Sequence, residues 1–169
     1  MFDLTAVLPQ LLPSAIAWAE ARSEEVRQSG RPLDAVGLAV AASFGVHAPE
    51  RIRVLVVAQL PLPEVPALRD AALQTGLLGP GTIGLPLGYG IYLVAGYESP
   101  RLLSHECRHV HQYEAAGRIG VFLPVYLKQI VDSHTTMRRT RSTLARGSGA
   151  DFSLRRVMGE NTLITSPSA

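Results

Sequence analysis

At 169 residues, 47% hydrophobic and 18% charged, the chain has the size and composition of one globular domain, which excludes a disordered or coiled-coil segment. Its single cysteine, Cys107, excludes a disulfide framework and a cysteine-rich zinc knuckle, and no apolar run reaches the roughly 18 residues of a membrane span. The net charge of +2 is unevenly placed: residues 1–132 carry ten Lys and Arg against twelve Asp and Glu, so the body of the chain is not a basic nucleic-acid-binding domain.

Residues 5–28 place Leu8, Leu11, Leu12, Ile16 and Trp18 at helical spacing, which predicts a helix started or interrupted near Pro13 and stopped at Gly30. The N-terminus has neither a basic n-region nor a small-x-small cleavage site, so no signal peptide and a cytoplasmic location are expected. A second helix is predicted over 32–46, with Asp34 as its cap. The alternating, β-branched run 51–59 reads as a strand stopped by Pro61 and Pro63. A short helix up to Gly76 follows, and the glycine-rich run 79–96 reads as a strand pair or one bent strand.

Ser99-Pro100 then supplies a helix cap and a proline at the first helical position, and Gly117 supplies the stop. An amphipathic helix follows to about residue 131. These elements predict an α+β domain over residues 1–132, a small sheet packed against helices. Beyond it, residues 133–169 hold six arginines against Asp151 and Glu160, without helical or strand period, and read as an irregular basic tail. The tail lacks interleaved aromatics, so no specific nucleic-acid partner is expected.

The helix from 100 to 117 carries the chemistry. His105-Glu106-Cys107-Arg108-His109 is an H-E-x-x-H pattern. At about 100° per residue the two histidines lie about 40° apart, so both imidazoles reach one metal ion. Glu106 falls beside the metal without ligating it, where a general base belongs. Gln112 shares the metal face and can contact a ligand or substrate, and Tyr113 is a candidate oxyanion or substrate contact. His111 points about 120° away and is not counted as a ligand, His47 has no visible partner, and Cys107 is expected to pack on the opposite face. A metzincin is excluded, because its pattern needs Gly and His where this chain has Gln112 and Ala115.

The run from Gly88-Tyr89-Gly90-Ile91 through Leu102, His105, Glu106, His109, Val110, Gln112, Tyr113, Glu114, Gly117, Phe122, Leu123, Tyr126 and Leu127 resembles a group of bacterial zinc-peptidase-like proteins with an H-E-x-x-H-V-x-Q-Y-E-x-x-G motif. The likeness spans about residues 30–131. It implies a zincin-like, gluzincin-type fold with the H-E-x-x-H helix lining a cleft. Zinc (Zn2+) would be held by His105 and His109, Glu106 would act as base, and a peptide or protein substrate would lie along the strand at 82–95. In that group the third ligand looks like a glutamate in an A-P-x-E-x-[DE]-A segment after the last helix.

This chain has no such segment. A permissible back-translation from His134, read in a neighbouring frame, spells D-D-A-P-Y-E-V-D-A-R, which is compatible with a frameshift near Ser133 as the expected cause of its replacement, the lost glutamate falling near Arg141. Asp132 and His134 are the first candidates for the missing ligand, ahead of Asp151 and Glu160. The expected function is a zinc-dependent peptidase-like hydrolase, the alternative a degenerate, inactive member that binds metal or peptide without turnover.

Overall fold

The computed structural model describes residues 4–144, with side chains described through residue 133. In chain order it contains α1 (Leu4–Ser29), β1 (Arg31–Pro32), α2 (Ala35–Ser43), a 3-10 turn (Pro49–Arg51), β2 (Arg53–Val57), α3 (Pro66–Thr75), β3 (Gly84–Leu87), β4 (Gly90–Val94), α4 (Pro100–Ala116) and α5 (Ile119–Leu144). The α+β expectation holds: helices cover both faces of a four-stranded mixed sheet of order β1-β2-β4-β3. β2 and β4 run parallel, with Val54 opposite Ile91, and the crossover between them carries α3. β3 and β4 form the hairpin expected from the glycine-rich run, with Leu85 opposite Tyr92.

Strand alternation divides the interior in two. Leu85, Leu87 and Tyr92 face a core built from α1, α3 and α5, with Val26, Leu68, Leu123 and Leu127. Ile91, Leu93 and Val54 face the other way, toward Ala41 of α2 and toward Leu102, Cys107 and Val110 of α4. α4 also sends Tyr113 into the first core, so this helix is held from both sides. Cys107 is fully buried, as its position opposite His109 led one to expect.

Both expected caps are present. Ser99 Oγ accepts from the amide of Leu102 at 3.1 Å, and Asp34 Oδ1 accepts from that of Gly37 at 2.8 Å. α1 departs from expectation, for it runs unbroken through Pro9 and Pro13. Each interior proline removes a backbone hydrogen bond at a cost of roughly 3 kcal/mol. Packing of Leu8, Leu11, Leu12, Ile16 and Trp18 against the core offsets that cost.

The C-terminal side departs as well. α5 continues to Leu144, so residues 133–144 are helical where an irregular tail was expected. Lack of an apolar period removes a reason to pack, but it does not stop a helix already started. Extension adds one hydrogen bond per residue, and no Gly or Pro interrupts residues 133–144. Residues 145–169, including Asp151 and Glu160, lie outside the described residues. Among the described residues, no helix is long and apolar enough to cross a membrane.

Candidate functional site

α4 brings His105 and His109 together as the one-turn spacing requires. Their ring centroids are 5.2 Å apart, with the rings inclined at 72°. His105 is half-buried and His109 is buried, flanked by the Tyr126 ring of α5 at 6.0 Å. His109 Nδ1 lies 2.8 Å from Gln112 Oε1. A carboxamide oxygen can only accept, so in the neutral ring Nδ1 carries the proton and Nε2 the lone pair. That is the tautomer a metal-ligating histidine uses when its other nitrogen is held by a neighbour. Gln112 therefore contacts the motif histidine itself, where a contact to ligand or substrate was expected.

Glu106 is fully buried, and neither carboxylate oxygen has a hydrogen-bond partner. Its neighbour is β3. A Cβ placed on Gly84 would stand 2.2 Å from Glu106 Oε1, so only glycine at 84 leaves room for the carboxylate. Burial pushes the Glu106 carboxyl up to about 8, well above the ordinary carboxylate range. An orphaned buried carboxylate costs several kcal/mol unless a proton, a water or a cation meets it. Two imidazoles one turn apart supply two nitrogen ligands for a divalent cation, but Glu106 does not stand with them in a group whose ligand atoms could meet on one ion. A site there is short of a third protein ligand.

Among the described residues, no further His, Cys, Asp or Glu joins His105 and His109 in a group able to hold an ion. Asp132, one candidate for that role, is exposed and accepts from Lys128 Nζ at 2.6 Å. The side chain of His134 lies outside the described residues. Tyr113 is buried, with its ring 4.4 Å from Phe122 and its hydroxyl unpartnered. It faces the core, as a large side chain on the inner face of α4 must. The β3 edge, the expected seat of a peptide, has all four residues buried, so strand pairing there requires the covering chain to open.

The structure also gathers residues that sequence reasoning set aside. His47, His111 and Glu114 present ligand atoms all within 4.8 Å of one another. Glu114 accepts from the Tyr89 hydroxyl at 2.6 Å and from the amides of His47 and Ala48 at 2.8 and 3.0 Å. Burial alone would raise its carboxyl, but these donors outweigh burial and hold it below the usual range. The three-residue spacing of His111 and Glu114 on one helix was a legible signal for two of the three members of this group. Nothing local announced His47, which arrives from the loop after α2.

Comparison with known proteins finds no matching family model, no matching curated protein and no matching solved structure.

Proposed function

We propose that this protein is a zinc-dependent, metallopeptidase-like hydrolase of the gluzincin type, its metal held by His105 and His109 and its general base Glu106. The observation that carries this reading is the pair of imidazoles one helical turn apart beside a buried carboxylate without a partner. When bound, zinc supplies Lewis acidity, which polarises a carbonyl and makes water a nucleophile near neutral pH. Gln112 fixes the His109 ring so that Nε2 is the ligating nitrogen. With its carboxyl near 8, Glu106 holds a proton at neutral pH; a cation bound beside it would lower that value, and the ionised carboxylate would then take a proton from water and return it to the leaving amine. Its burial against Gly84 keeps competing solvent away from that proton.

A second reading rests on a specific observation. Asp132 is engaged by Lys128, and no other described residue completes the ligand set, which favours an inactive relative that binds metal or peptide without turnover. Zinc content and peptide hydrolysis decide between the two. For the hydrolase, His105→Ala and His109→Ala lose the equivalent of zinc held by that pair together with activity, whereas Glu106→Gln retains that zinc and loses at least about 100-fold in kcat. Zinc binding without cleavage of unfolded protein or mixed peptides by the unmodified chain establishes the inactive relative. Absence of zinc from His105 and His109 defeats the hydrolase and leaves the second reading only if the chain binds peptide.

A further inference from the structure

We propose that His47, His111 and Glu114 form a second metal site, independent of the H-E-x-x-H pair, that takes a zinc-class divalent cation. The site lies on the opposite side of the same helix. At about 100° per residue, His111 and Glu114 fall about 120° and 180° from His105, so no single ion is shared with the first pair.

Three features make this a site and not a chance meeting of polar groups. The donors are two imidazoles and one carboxylate, the set that leaves zinc an open coordination position. Their ligand atoms already stand within 4.8 Å of one another, although they come from two separate parts of the chain. The third feature is an orphan: His111 Nδ1 is buried and has no hydrogen-bond partner. A buried imidazole nitrogen without a partner loses its hydration and recovers nothing, a penalty an ion or an ordered water removes.

The surroundings hold these donors in place. Gly45 has φ +88°, a conformation that disfavours side chains, and a Cβ there would stand 3.3 Å from His111 Nδ1. The loop can therefore pass directly over the imidazole. Glu114 is fixed by Tyr89 and by the amides of His47 and Ala48, which leaves about one lone pair over, since two carboxylate oxygens offer about four. The same amides position His47, whose Nδ1 is 3.4 Å from Glu114 Oε2. The His47 side chain is 82% exposed and lines a cleft of about 550 Å³, so an ion has an entry path. Arg27, Arg51, Arg53 and Arg118 line the same cleft and repel a cation, which lowers the affinity that the three donors would otherwise give.

The test is the stoichiometry of bound Zn2+, and of Co2+ as a spectroscopic probe, in the full chain. His47→Ala is the informative variant: its side chain is exposed, and the amide that anchors Glu114 is kept. Expected is the loss of one equivalent of metal in His47→Ala, and the loss of the same equivalent when His47→Ala is added to a His105→Ala/His109→Ala variant. The Co2+ absorption that remains in that double variant should vanish with His111→Ala as well. Unchanged stoichiometry in His47→Ala, or a double variant that binds no metal, overturns the proposal. Because the two sites share no ligand, each outcome is separable from the fate of the hydrolase reading.

Discussion

The two histidine faces of α4 are opposites in construction. On one, His105 and His109 follow from a five-residue motif, and their acidic neighbour Glu106 is buried without a partner. On the other, His111 meets a residue 64 positions earlier, His47, and the acidic member Glu114 is held by three hydrogen bonds. Burial drives the first carboxyl up to about 8, while donors hold the second below its usual range. The contrast separates a carboxyl kept protonated by burial from one kept anionic by donors. Tertiary contacts set both: Gly84 of β3 seals the first, and Tyr89 and the loop after α2 hold the second.

The largest expected effect tests the orphan carboxylate. A carboxyl raised on folding is protonated in the native chain while the unfolded chain has already ionised, so the native state binds more protons between the two values. Stability is then fully present below about 4.5 and is lost as pH rises toward about 8. In chelator-treated protein the drop should be of order 3–5 kcal/mol. Glu106→Gln should flatten it, as read by urea denaturation across pH. A wild-type profile without this slope would break the comparison.

Next comes the close approach of sheet and helix. Gly84→Ala drives a methyl group into the Glu106 carboxylate, and overpacking of this kind costs about 1–3 kcal/mol. Glu106→Ala in the same chain should recover most of that loss, a coupling that additive effects would rule out. Tyr89→Phe sharpens the other face: removing the hydroxyl that donates to Glu114 should cost about 1–2 kcal/mol, seen as a lower melting temperature. Smallest is Asp132→Ala. Its exposed pair with Lys128 is worth at most about 0.5 kcal/mol, and zinc binding at His105 and His109 should be unchanged. A tenfold weaker zinc affinity in that variant would make Asp132 the third ligand.

Much of the architecture was legible because its signals are local. Ser99-Pro100 and Gly117 bound α4, Asp34 caps α2, and the alternation at 53–57 and the glycines around 88 give the strands. The unbroken α1 was not legible, since two interior prolines argue against it and only the packing of its apolar side chains overrides them. The helical backbone of residues 133–144 was missed for another reason: the absence of an apolar face was taken for the absence of a helix.

For the sites, the sequence by itself determined that His105 and His109 point the same way, because 3.6 residues per turn leaves no alternative once α4 forms. It determined too that Cys107 turns away from them. Gln112 engages His109 from three residues away on the same helix, a local contact, whereas only the tertiary structure decided that Glu106 lies sealed against Gly84 and that Tyr113 belongs to the core. It alone brought His47 to Glu114. Helical periodicity is a property of consecutive residues, whereas burial and long-range contact depend on where the loop after α2 and the β3–β4 hairpin come to rest against the same helix.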